Sequence, residues 1–274
     1  MVRLISNTVT IRDVAEAAGV SISLVSFVLN AKRGPNGEYL CSASKETAER
    51  IVDAAKRLGY KKNMAASSLR SGFSNTLGIV VADISNSFFG EFCRHIENIS
   101  AQAGYLSIFG SSDDNPEKMC QLLNRFIATG VDGLIVAPCA HTENLLSDIV
   151  RNSVPVVIFD RDLENLAGVG KVMMDNEYAG RQATRHLIEN GHKKIEMIRY
   201  QSDIPTILQR FTGYRNEMEE NGLACYVKDN IISKPTIGIG MVDVIKNSYD
   251  RGVDALIFPS NVLTVKGLTA INSL

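Results

Sequence analysis

The sequence predicts a small all-α head joined to a larger two-lobed α/β body of parallel sheets. Three observations carry that expectation. Residues 10–60 hold short amphipathic helical segments with caps and glycine stops. From Thr76 onward, continuous apolar runs alternate with helical stretches, the pattern of strands buried on both faces. Charge divides at the same place. Residues 1–75 carry 11 Lys/Arg against 6 Asp/Glu, a net of +5; residues 76–274 carry 18 against 24, a net of −6, under a whole-chain total of −1.

The first helix begins at Thr10, a cap with Asp13 at the third helical position. Its apolar side is Ile11, Val14, Ala15 and Ala18, spaced i, i+3, i+4, i+7. Gly19 takes positive φ without a Cβ clash, so the chain can reverse there. Ser21 caps a second helix whose Val25, Val28 and Leu29 face inward. Ile22, Ser23, Ser26 and Phe27 fall on another face, free to enter a major groove. This is the outline of a helix-turn-helix, although helical domains that bind no DNA also contain such pairs. A basic head favours phosphate contact, and a solvated basic surface gives the same total.

A third helix fits 44–58, with Ser44 as cap, Ala48, Ile51, Val52, Ala55 and Leu58 as its stripe, and Gly59-Tyr60 closing it. Residues 31–43 form a turn-rich loop around Gly34-Pro35-Asn36-Gly37, where Lys32 and Arg33 can reach phosphate or simply face water. Residues 63–72 are helix-capable but too short to be stable alone, and 71–75 read as linker. The expected domains are therefore 1–62, a hinge and linker over 63–75, and a body over 76–274.

In the body, strands are expected at Leu77–Ala82, Tyr105–Gly110, Asp132–Ala137 and Val154–Phe159, with helices near 87–103, 116–129 and 143–152. A second series runs Lys171–Met174, helix 177–190, Lys194–Arg199, helices 206–221 and 240–251, and Asp254–Phe258. Two series predict two lobes, about 76–160 and 161–274. A cleft is expected between them, at the carboxyl ends of the strands.

Several classes are disfavoured. No apolar run approaches a membrane span, and the N-terminus lacks a secretory h-region. The five cysteines (41, 93, 120, 139 and 225) are scattered without a CxxC pair, as expected of reduced thiols in a cytoplasmic protein. His95, His141, His186 and His192 are not spaced as metal ligands; His192 reads as ordering a helix-to-strand turn. There is no Walker A, HExxH or GxSxG motif, and Gly238-Ile239-Gly240 lacks the third glycine of a dinucleotide loop. No catalytic residue, metal or cofactor is expected.

Taken in order, TIRDVAEAAGVS, VSFVLN, AAKRLGY, NMAASSLRSG, SNTLGIVVADISNSFF, VDGLIVAP, VPVVIFDRD, MMDNEYAGRQATRHLIENGHKKI and QRFTGYRNEM resemble the LacI/GalR family of bacterial transcription regulators. The resemblance covers nearly the whole chain. It implies a periplasmic-binding-protein-like body, a homodimer on a pseudo-palindromic duplex operator, and a small-molecule effector between the lobes. Repression is the expected mode. A sugar or sugar derivative is the default effector, with a purine or nucleoside as the other option.

By the same resemblance, base reading falls on Ile22, Ser23 and Phe27, and phosphate contact on Thr10, Ser21, Ser26 and Asn30. Leu69 matches a leucine that wedges into the minor groove from a hinge helix. Effector contacts fall on Phe88, Phe89, Asp160, Arg210 and Asn261. Arg210 offers a rigid donor fork and Asp160 an acceptor for hydroxyls; a structural ion pair between these two is the plainer reading.

The chain departs from the family pattern at Phe27, where a polar or cationic residue is usual, and at Leu24, Lys62, Ser87 and Val262. The apolar Ile22/Phe27 pair cannot form a bidentate bond to guanine but can press on thymine methyls, unless Phe27 packs back into the helix interface. Family members also run on beyond the helix in which Leu274 lies. The resemblance thus implies an incomplete body and weaker dimerisation than in a longer form. A solute-binding protein without a regulatory role shares such a body, but has an export signal and no DNA-binding head.

Overall fold

The computed structural model describes residues 9–31, 43–61, 72–163, 165–201, 205–233 and 237–274. The hinge segment with Leu69, residue 62 and most of the loop after Asn30 lie outside the described residues. The chain divides into two compact units, Met1–Ser74 and Asn75–Leu274.

The head is built from α1 (Ile11–Ala18), α2 (Ile22–Asn30) and α3 (Lys45–Leu58). Thr10 and Asp13 form a reciprocal capping box on α1, and Ser21 and Ser44 cap α2 and α3. Gly19 ends α1 at φ 64°, in the left-handed region, and the chain bends by 104° into α2. That angle lies within the range of helix-turn-helix pairs. Val14, Ala15, Ala18, Val25, Val28, Ala48, Ile51, Ala54 and Ala55 form one buried core. The small alanines on α1 and α3 let three short helices close around Val14, Val25 and Ile51, which are fully buried.

The first lobe of the body is a five-stranded parallel sheet in the order β2-β1-β3-β4-β5, with β1 Thr76–Val81, β2 Leu106–Ser111, β3 Gly133–Val136, β4 Val156–Phe159 and β5 Gly170–Val172. Alternation along β1 sends Val80 to one face and Ile79 and Val81 to the other. On the first face α5 (Pro116–Ala128) and α6 (Glu143–Arg151) bring Met119, Leu123, Leu146 and Ile149. On the second, α4 (Ser87–Gln102) brings Phe89 and Cys93 against Phe159.

The strand expected at Lys171–Met174 as the opening of the second series is instead β5, and it extends the first sheet, pairing Val157 with Gly170 and Ile158 with Lys171. All three β5 residues are exposed, so this is an edge strand. Its place depends on the strand it pairs with, which its own short sequence does not encode.

The second lobe is a parallel sheet in the order β7-β6-β8, with β6 Ile195–Tyr200, β7 Asp229–Ile232 and β8 Ala255–Ile257. β7 was not anticipated, because Asp229 and Asn230 disfavour strand and only two apolar residues follow. On one face α7 (Asn176–Glu189) and α8 (Pro205–Glu220) pack around Ile195, Met197, Tyr214 and Met218. On the other, α9 (Ile237–Asp250) and α10 (Asn261–Ile271) cover Ile198 and Ile232.

Backbone contact sets how closely α7 and α8 pack. A Cβ on Gly180 would lie 2.1 Å from the Arg210 carbonyl oxygen, and one on Gly213 would lie 2.0 Å from that of Glu177. Only hydrogen fits at either position. Glu217, buried at the same crossing, accepts from Arg185 Nε at 2.8 Å and Nη2 at 3.0 Å, which holds its carboxyl below the ordinary range despite burial.

Candidate functional site

Local sequence builds the helix-turn-helix face. At 100° per residue, Leu24, Val28, Val25 and Leu29 occupy one arc of α2, and Ile22, Ser26, Asn30, Ser23 and Phe27 occupy the rest. The structure follows this division. Val25 and Val28 are buried, and Leu24 and Leu29 pack against the head core. Ile22 is 40% exposed and Phe27 50% exposed. Phe27 therefore does not fold back into the helix interface.

Thr10 accepts from the Asp13 backbone N–H and donates to the Asp13 carboxylate at 2.9 Å. Bonds from the Thr10 backbone and hydroxyl hold that carboxyl below its ordinary pKa. Ser21 accepts from the Leu24 N–H at 3.2 Å. Asn30 Nδ2 donates to the Ser26 carbonyl at 2.7 Å and to its hydroxyl at 3.3 Å. Four of the expected phosphate contacts are thus also the residues that fix the ends of α1 and α2.

In the body, Phe88, Phe89, Asp160, Arg210 and Asn261 line a single cleft of about 180 Å³, together with Asn86, Arg161, Tyr200, Thr206, Ile207 and Ser260. First-lobe residues come from the N-terminal cap and first turn of α4 and from the two residues after β4; second-lobe residues come from the end of β6, from α8 and from the start of α10. The lobes bond directly across it. Thr206 donates to the Asp160 carbonyl at 3.0 Å, and Asn261 Nδ2 donates to Asn86 Oδ1 at 2.6 Å and to Ser87 Oγ at 3.3 Å.

Asp160 sits at φ 64°, a left-handed conformation that aspartate tolerates better than most residues. Burial pushes its carboxyl up, against the pull of Arg161 and Arg210. Asp160 forms its ion pair with its neighbour Arg161, at 3.7 Å, so the alternative reading of Asp160 and Arg210 as a structural pair does not hold. Arg161 is nearly buried. It pairs with Asp114, donates to the Pro138 carbonyl at 3.3 Å, and lies 5.9 Å above the Phe89 ring.

Arg210 is anchored differently. Its Nε donates to Asn176 Oδ1 at 2.9 Å and its Nη1 to the Pro259 carbonyl at 2.5 Å. Burial lowers the guanidinium pKa, and Asp160 opposes that shift. The two aromatic positions also differ. Phe89 is buried against Phe159, whereas Phe88 is 46% exposed and meets Phe89 edge-on at 5.0 Å. A cleft with a partly buried carboxylate, a fixed guanidinium, two amides and one open aromatic face suits a small polyhydroxylated molecule.

Family models match both units. The model for bacterial regulatory proteins of the lacI family covers residues 10–63. The model described as periplasmic binding proteins and sugar binding domain of the LacI family covers residues 74–237. The chain belongs to the LacI family.

Among LacI-family relatives, it is 32% identical over 249 residues to catabolite control protein A of Priestia megaterium, spanning 90% of this chain and 69% of that protein. It is 31% identical over 217 residues to the HTH-type transcriptional repressor PurR of Histophilus somni, spanning 78% of this chain and 62% of that protein. The fold matches a LacI-family regulator from Silicibacter pomeroyi at 24% identity and a TM-score of 0.73. It also matches the lac repressor dimer bound to operator and the anti-inducer ONPF at 19% identity and a TM-score of 0.79. Each of these two overlaps covers 97% of this chain and 78% of the other.

Asn86, Arg161, Asn176 and Thr206 also line or brace the cleft. Asn86 and Arg161 stand in the sequence beside expected contact residues, in SNSFF and FDRD. Asn176 and Thr206 had no such marker, since each acts by holding Arg210 or Asp160 from another element.

Proposed function

We propose that this chain is a ligand-controlled transcription regulator that binds operator DNA through the helix-turn-helix and a small carbohydrate or derivative in the cleft of the body. The observation that carries the reading is the pairing, in one chain, of an outward-facing α2 with a cleft lined by Asp160 and Arg210. Thr10, Ser21, Ser26 and Asn30 contact phosphate, Ile22, Ser23 and Phe27 face the bases, and Leu69 enters the minor groove. Phe88, Phe89, Asp160, Arg210 and Asn261 hold the effector. Homodimers meet the two half-sites in the cytoplasm, and repression is the default mode, by analogy with PurR, whose name states it. The regulator carries out no catalysis.

The test has two arms. Duplexes are selected from a random pool by the full chain, and monosaccharides, their phosphates and nucleosides are screened by thermal shift of the body. A compound that both raises the melting temperature and changes the mobility shift of the selected duplex supports the reading. Tight sugar binding with no duplex enriched overturns it in favour of a solute binder.

A further inference from the structure

We infer that Phe27 is the main base-reading side chain of the head and that its target is the C5-methyl group of a thymine. The inference rests on the operator-binding reading above. α2 carries no charged residue. The described cations of the head, Arg12, Lys45, Arg50, Lys56, Arg57 and Lys61, lie on α1, α3 and the residues just after α3. They can supply attraction to the phosphate backbone that is independent of base sequence.

On the outward arc of α2, the one amide is that of Asn30, and its Nδ2 already donates to Ser26. The arc therefore presents no arginine or lysine fork for guanine O6 and N7. What it does present is a phenyl ring, 50% exposed, with Ile22, 40% exposed, at the other margin and Ser23 and Ser26 between. Among the base edges of the major groove, the thymine methyl is the one apolar group. Burying it against a half-exposed aromatic ring removes apolar surface of both partners from water. A guanine or cytosine at that place loses this gain and leaves its polar edge against the ring.

The test uses the duplex selected by the full chain. At each thymine in the enriched half-site, deoxyuridine removes only the methyl group. Binding is then read by fluorescence anisotropy for wild type, Phe27→Ala and Phe27→Arg. The expected result is one thymine per half-site at which deoxyuridine weakens wild-type binding roughly fourfold, the worth of one buried methyl. Phe27→Ala should bind thymine and deoxyuridine alike there. Phe27→Arg should move the preference at that position toward guanine. Because Phe27 lies outside the head core, both variants should melt with wild type; should Phe27→Ala melt lower, Phe27→Leu serves as the folded control and keeps part of the methyl preference. An enriched site with no methyl dependence, or the same methyl dependence in Phe27→Ala, overturns the role of Phe27 and leaves the regulator reading standing. Failure to enrich any duplex overturns that reading, and this inference with it.

Discussion

The outward face of α2 in the head and the cleft of the body are built in opposite ways. On α2 the outward side chains lie toward water, and their neighbours in sequence place them: Ser21 caps the helix, Asn30 bonds Ser26 one turn back, and Gly19 sets the bend. In the cleft, side chains far apart in sequence hold one another. Arg210 is fixed by Asn176 and the Pro259 carbonyl, the Asp160 carbonyl by Thr206, and Asn86 by Asn261. A face that meets a large rigid partner can stay open until contact. A cleft for a small ligand must be ordered beforehand, because the ligand offers too few contacts to order it.

Four perturbations test that contrast, the largest first. Gly213→Ala places a methyl against the Glu177 carbonyl, so α8 must move and carry Arg210 with it. The body should lose upwards of about 3 kcal/mol in urea unfolding. Gly240→Ala, in open space on α9, should instead stabilise by about 0.5–1 kcal/mol. Equal effects at the two glycines would mean that the α7–α8 crossing does not position the cleft.

Acid comes next. Glu217 is held low by Arg185. Glu196 is held low by Arg251, Ser248 and Asn230, whose bonds outweigh its burial. A depressed carboxyl contributes stability that is complete above the unfolded glutamate pKa, about 4.3, and is lost as pH falls through the folded value. The urea midpoint of the body should therefore drop below pH 5. In Glu217→Gln that acid dependence should be weaker, on a lower baseline at neutral pH.

Thr10→Ala removes the hydroxyl half of the capping box and should destabilise the head by about 1 kcal/mol without changing the body transition. A matching loss in the body would contradict the independence of the two units.

Asp160→Asn has the smallest effect on stability and a large one on binding. Asparagine tolerates the same left-handed backbone and carries no buried charge, so the body should melt within about 1 kcal/mol of wild type. The thermal shift given by the sugar that stabilises wild type should disappear. Its retention would remove Asp160 from the cleft chemistry.

Sequence by itself determined the head. Caps at Thr10, Ser21 and Ser44, glycine stops at 19 and 59, and a 3.6-residue stripe are all local, and each helix end falls within a residue or so of its signal. It also determined that the body is α/β with parallel strands, since an apolar run such as Leu77–Ala82 must be covered on both faces. Tertiary structure alone decided where β5 pairs, that β7 exists, and that Asp160 is paired with Arg161 while Arg210 is held by Asn176. Those outcomes depend on which surfaces meet as each lobe folds, and no spacing along the chain encodes the contact of β5 with β4, of β7 with β6, or of Asn176 with Arg210. The glycines at 180 and 213 are both visible in the sequence, but only the opposing carbonyl oxygens, 2.1 and 2.0 Å from where a Cβ would stand, show why a side chain cannot fit there.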